Sequence, residues 1–124
     1  MLKKIRYLFV FLFAIIACKK NETVPPIVEI YSPVANDSFV VADSFDIYFN
    51  IKDEHLQRYK IIISNKLTRK IYISEEGFTN TSDFTYDEKR YIKVQADTNV
   101  YMNILGIDAN GNTGGSSVVF KLKK

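Results

Sequence analysis

The chain has 124 residues, 47% hydrophobic and 14% aromatic, with 17 basic residues, 14 acidic residues, one cysteine and one histidine. This length suffices for one small domain and excludes two large ones. A single cysteine excludes an internal disulfide framework, and a lone histidine leaves a His-based metal site without further ligands.

The first stretch sets the compartment. Lys3, Lys4 and Arg6 precede an apolar run from Tyr7 to Ile16 that closes on Ala17. A basic head, an apolar middle and a small residue form the pattern of a secretory signal peptide. The run is too short for a membrane span, which needs about 20 apolar residues. Ile15-Ile16-Ala17-Cys18 resembles the lipobox of bacterial lipoproteins. The resemblance implies removal of residues 1–17 as a leader and lipidation of Cys18 as the new first residue. It places the chain in a bacterial envelope, anchored to the outer membrane on its periplasmic or outer side. The leader holds three of the 17 basic residues and no acid, so residues 18–124 carry equal numbers of basic and acidic side chains. A nucleic-acid function built on the basic pI is therefore excluded.

Residues 18–26, polar and closed by Pro25-Pro26, are expected to form an extended tether. In lipoproteins of the Bacteroidetes type, acids soon after the cysteine mark display at the cell surface. Here Glu22 is the one acid of that stretch, preceded by Lys19 and Lys20.

From Ile27 the pattern has period two. Residues 27–31 predict an edge strand ended by Ser32-Pro33, and Asn36-Asp37-Ser38 predicts a turn. From Ser44 to Lys52, Phe45, Ile47, Phe49 and Ile51 share one face of a strand. Asp53-Glu54-His55 is a loop. Tyr59, Ile61 and Ile63 predict a third strand, and Ile71 and Ile73 a short fourth. Residues 75–89 are polar, with a brief strand only around Phe84 and Tyr86. Tyr91 to Ala96 predicts another strand, with Ile92 and Val94 inward. Val100, Met102, Ile104 and Gly106 line the next. Residues 108–115 predict a wide turn, and Val118, Phe120 and Leu122 the last strand.

About seven short strands separated by turn signals predict an all-β antiparallel sandwich, with a small closed barrel as the alternative. The segment from Ile51 to Ile61, carrying Asp53 and Leu56, is similar to the second-to-third strand crossing of bacterial Ig-like domains. Gly106-Ile107-Asp108-Ala109-Asn110-Gly111-Asn112 resembles their penultimate strand, with Gly106 in place of the usual Ala. The resemblance spans most of residues 25–122. It implies an Ig-like or fibronectin-III-like sandwich over 27–124, in a family that includes spacers, adhesins and glycan-binding modules.

Two candidate sites follow. In such a topology Asp53, Glu54, Asp87, Glu88, Asp108 and Asn110 would gather as an oxygen-rich rim suited to Ca²⁺. The competing expectation is that Asp53 and Asp108 cap their own turns. Asp108-x-Asn110-x-Asn112 begins like an EF-hand loop, but Thr113 stands where that loop needs Gly. The second candidate is a binding face of Ile62, Tyr72, Tyr101, Leu105 and Ile107, apolar residues at outward strand positions. The competing expectation is a cover formed by residues 75–89, or a one-residue slip that exchanges the faces. No nucleophile elbow, phosphate-cradling glycine loop or Cys-x-x-Cys pair is present, so no catalytic residue is assigned. The expected function is a non-enzymatic module that recognises a protein partner or a glycan. The alternatives are a purely structural subunit and a calcium-dependent adhesion module.

Overall fold

The computed structural model describes residues 23–124. The proposed leader and Cys18 lie outside the described residues, as does the first part of the tether.

The described chain is all β. Its eight strands are β1 (Ile27–Ser32), β2 (Ser38–Val40), β3 (Phe45–Lys52), β4 (Leu56–Asn65), β5 (Ile71–Phe78), β6 (Asp83–Arg90), β7 (Thr98–Asp108) and β8 (Thr113–Lys123). They form two sheets, ordered β1-β3-β6 and β2-β8-β7-β4-β5. Every pairing is antiparallel except β2 with β8. The sheets stay open at their edges, so the arrangement is sandwich-like and not a barrel.

Alternation produces the core. Phe45, Ile47, Phe49 and Ile51 of β3 face Ile61 and Ile63 of β4, Val100, Met102 and Ile104 of β7, and Phe120 and Leu122 of β8. Burying one such side chain contributes roughly 1.5–3 kcal/mol, and aromatic rings dominate the seam. Phe49 stacks on Tyr86 at 5.0 Å and Tyr59 on Phe84 at 4.9 Å.

Three expectations change. The strand expected at residues 91–96 lies earlier, at Asp83–Arg90, and residues 91–97 form a connection. Ile92 is buried as expected, but β6 pairs only with β3, whose first residue Phe45 is opposite Arg90. Beyond Arg90 no strand remains to accept the ladder bonds. The polar segment 75–89 holds the second half of β5 and nearly all of β6, because both are edge strands with one face and one edge in water. The wide turn is shorter than expected, since Gly114 and Gly115 belong to β8.

Those glycines mark a close approach. Gly106 and Gly114 are cross-strand partners on β7 and β8, and buried Pro26 sits over them. A Cβ at Gly114 would stand 1.8 Å from the Pro26 carbonyl oxygen, and one at Gly106 2.9 Å from Pro26 Cβ. The end of the expected tether is thus docked in a two-glycine notch. It enters the sandwich at the pole formed by the β3–β4 loop and the β7–β8 turn.

Candidate functional site

At that pole Asp108 is fully buried. Its Oδ1 accepts from Asn110 N (2.9 Å) and Asn112 N (2.8 Å), and its Oδ2 from Asn112 Nδ2 (2.9 Å). Burial alone would push this carboxyl up, but the donors of Asn112 and Asn110 outweigh it and hold Asp108 below the usual carboxylate range. Asp53 Oδ1 accepts from His55 N at 2.8 Å. Both aspartates therefore cap their own turns, as the simpler expectation held. The two loops do meet, since Ala109 N donates to the His55 carbonyl at 2.8 Å.

The expected oxygen-rich rim does not assemble. Asp87 and Glu88 lie on β6 opposite Tyr48 and Ile47, whereas the residue of β6 at this pole is Asp83, opposite Lys52. Four residues of strand separate Asp83 from Asp87, about 14 Å. A polar loop over residues 75–89 could reach the rim, whereas a strand paired along β3 holds Asp87 and Glu88 away from it. Among the described residues, no group of three or more His, Cys, Asp or Glu is placed to hold a metal ion.

Glu88 belongs instead to a seam between the edge strands of the two sheets. Glu75 of β5 and Glu88 and Arg90 of β6 occupy inward positions, in phase with Ile73 and Tyr86. Arg90 Nη2 donates to Glu75 Oε2 and to the Tyr86 hydroxyl, and Nη1 lies 2.9 Å from Glu88 Oε2. The Tyr86 hydroxyl stands 3.0 Å from Glu88 Oε2 and 3.2 Å from Glu75 Oε1, and Tyr59 donates to Glu75 Oε1 at 3.1 Å. Burial, then the hydrogen bond to Glu88 and the charge of Glu75, raise Tyr86 well above the ordinary tyrosine value. Two tyrosine donors and one guanidinium thus hydrogen-bond two carboxylates, with one negative charge left over. The cluster fastens the sheets where inward charges would otherwise be unpaired.

The outer face of the five-stranded sheet has a different character. Register places four rows across β5, β4, β7 and β8: Phe78–Arg58–Ile107–Thr113, Glu76–Lys60–Leu105–Gly115, Ser74–Ile62–Asn103–Ser117 and Ile71–Ser64–Tyr101–Val119. Ile62, Tyr101, Leu105 and Ile107 therefore share this face, and residues 75–89 do not fold over it. Tyr72 does not join them. A bulge between Ile63 and Ser64 shifts the β4–β5 register, so Tyr72 packs against the core and accepts from Asn65 Nδ2 at 3.2 Å. The same bulge turns Ile71 outward, 60% exposed, although its alternation with Ile73 had suggested the core.

The lower three rows are tempered by charge and small residues, including an Arg58–Glu76 ion pair at 2.6 Å. The last row opens into a groove of about 490 Å³ lined by Ile62, Ser64, Asn65, Arg69, Ile71 and Tyr101. It lies at the pole opposite Pro26. Arg69 and Lys66, which the strand pattern did not single out, enter through the β4–β5 turn. No protein-family model matches the chain, and no curated protein matches it.

Proposed function

We infer that the chain is a bacterial envelope lipoprotein, lipid-anchored at Cys18, whose Ig-like sandwich is a non-enzymatic recognition module for a protein partner or glycan. The observation that carries this is the half-open apolar face of Ile62, Tyr101, Leu105 and Ile107 at the surface of the five-stranded sheet. A cluster of this kind on a small domain is characteristic of an interaction surface. The sheet order supports the Ig-like assignment. β1, β3 and β6 make one sheet, β2, β8, β7, β4 and β5 the other, and the chain crosses between sheets at β1–β2, β2–β3, β3–β4, β5–β6 and β6–β7. The calcium-dependent alternative draws no support from Asp53 and Asp108, whose carboxylates are occupied by their own turns.

Two measurements test this reading. Mass spectrometry of the native protein is expected to find acyl groups on Cys18 and no peptide from residues 1–17. An unmodified chain retaining Met1 refutes the anchor. Capture from detergent-solubilised envelopes is expected to retain a stoichiometric protein partner or a glycan with the wild type and to lose it with Tyr101→Ala. Capture indifferent to that change refutes the face.

A further inference from the structure

The groove beside Tyr101 is one part of a longer depression. A second hollow, of about 390 Å³, is lined by Asn65, Lys66, Leu67, Asp97, Thr98 and Asn99. A third, of about 240 Å³, is lined by Asn36, Ser38, Asn99, Val119, Phe120 and Lys121. The first two share Asn65 and Lys66, and the last two share Asn99. Adjoining at these residues, the three hollows form a row, the trough, across the sheet from β8 to β5. Three inter-strand spacings give it a length of about 14 Å.

Its chemistry is of one kind. Tyr101, 38% exposed, is the aromatic surface of the floor, flanked by Ile62 and Ile71. Asn36, Asn99 and Ser64 provide amide and hydroxyl groups along the walls. Lys66, Arg69 and Lys121 stand along its length, and among the described residues none of the three is in an ion pair. The carboxylate in the lining, Asp97, accepts the backbone N–H of Lys124 at 3.0 Å. Although residues 18–124 are formally neutral, basic side chains outnumber acidic ones at this end of the sheets. Lys66, Arg69, Lys70, Lys121, Lys123 and Lys124 stand with Asp37, Asp43 and Asp97, of which Asp37 and Asp97 accept the backbone N–H groups of Val34 and Lys124.

We propose that this trough binds an acidic polysaccharide, a linear glycan bearing carboxylates. A sugar ring presents an apolar C–H face that lies on Tyr101, its hydroxyls match the asparagines, and its carboxylates meet the unpaired cations. A hydrophobic protein segment would leave three cations and the amides without partners, which costs binding energy. The proposal rests on the recognition-face reading above and narrows its ligand.

The test is affinity electrophoresis of the purified full-length protein in gels containing polygalacturonate, the neutral polymer dextran, or poly-glutamate. Polygalacturonate is expected to retard the protein and dextran not to. Retardation is expected to fade as salt rises from about 0.01 M to about 1 M, where the Debye length falls from about 30 Å to about 3 Å. Binding is expected to weaken at least about tenfold in Lys66→Glu with Lys121→Glu, and comparably in Tyr101→Ala, with melting unchanged. Equal retardation by dextran overturns the role of charge. Poly-glutamate matching polygalacturonate overturns the glycan in favour of an acidic protein. Insensitivity to Tyr101→Ala reduces the effect to general charge attraction and overturns the site. If no polymer retards the protein while envelope capture still depends on Tyr101, the polysaccharide is overturned and the recognition face stands.

Discussion

Replacing Gly114 with Ala tests how the N-terminal segment is held. The new Cβ would lie 1.8 Å from the Pro26 oxygen, 2.8 Å from its carbonyl carbon and 3.2 Å from its nitrogen. Relaxed contacts need about 3.5 Å. These neighbours are backbone and cannot rotate aside, so residues 23–27 must lift or β8 must shift. Overpacking of this kind costs about 1–3 kcal/mol, offset by roughly 0.5–1 kcal/mol because glycine itself weakens a strand. A net loss of about 1–2 kcal/mol lowers the urea midpoint by roughly 0.3–2 M, taking a slope of about 1–3 kcal/mol/M. Gly115→Ala is the control. Its Cβ meets the flexible end of Leu105 at 2.7 Å and otherwise the Ile104 oxygen at 3.3 Å, so its midpoint should move by no more than about a third as much. Amide exchange at residues 27–30 should quicken in Gly114→Ala alone. An unchanged midpoint for Gly114→Ala, or equal losses in both variants, would refute the notch.

Three further outcomes follow from the same geometry. Because Asp108 is held below its unfolded value, its contribution is complete above about pH 3.9 and is lost as pH falls through the lower folded value. The melting temperature of Asp108→Asn should therefore fall less steeply than wild type over that acid range, and parallel curves would contradict the cap. A double-mutant cycle of Arg90→Met and Glu75→Gln, read by urea unfolding, should give a coupling of about 1 kcal/mol, discounted because the side chains keep 27% and 31% of their exposure. A coupling near zero would mean that the seam does not fasten the sheets. Ile107→Lys, on the outer face beside Arg58 and Thr113, should lower melting by only about 5 °C. Loss of the folded state in that variant would make Ile107 core and end the recognition-face reading.

The strands with two-sided surroundings were legible in the sequence, and the edges were not. β3 and β7 alternate cleanly because each lies between neighbours with one face in the core. β5 and β6 put Glu75, Glu88 and Arg90 at inward positions, which breaks the alternation that identifies a strand. Only the fold reveals that these charges face one another. Ile92 misled in the other direction, since burial without a strand partner mimics a strand. Gly114-Gly115 suggested a turn because glycine reports close approach as well as flexibility, and the approaching group, Pro26, lies far away in sequence. The outward positions of Ile62, Tyr101, Leu105 and Ile107 followed from parity alone, whereas Tyr72 was lost to a bulge that parity cannot foresee. The trough draws on turn residues and on the last strand, and no local pattern links Lys66 to Lys121.

Given a lipid on Cys18, the notch and the trough constrain each other. Pro26 is eight residues beyond Cys18, and eight fully extended residues reach at most about 29 Å. β7 alone has 11 residues, about 37 Å of strand. With Pro26 seated at the opposite pole, a domain standing on the membrane cannot turn over and bring the trough to the lipid surface. In that upright arrangement the basic trough would be kept from the anionic headgroups that compete for it. That protection depends on the notch, because releasing residues 23–26 and peeling β1 lengthens the leash by several residues and lets the cations reach the bilayer. Gly114→Ala should therefore strengthen binding of the lipidated protein's trough face to anionic vesicles, read as protection of Lys66 and Lys121 from amine labelling. Wild type should leave both lysines reactive. Equal labelling in the two proteins would show that the seat of Pro26 does not govern how the domain is presented.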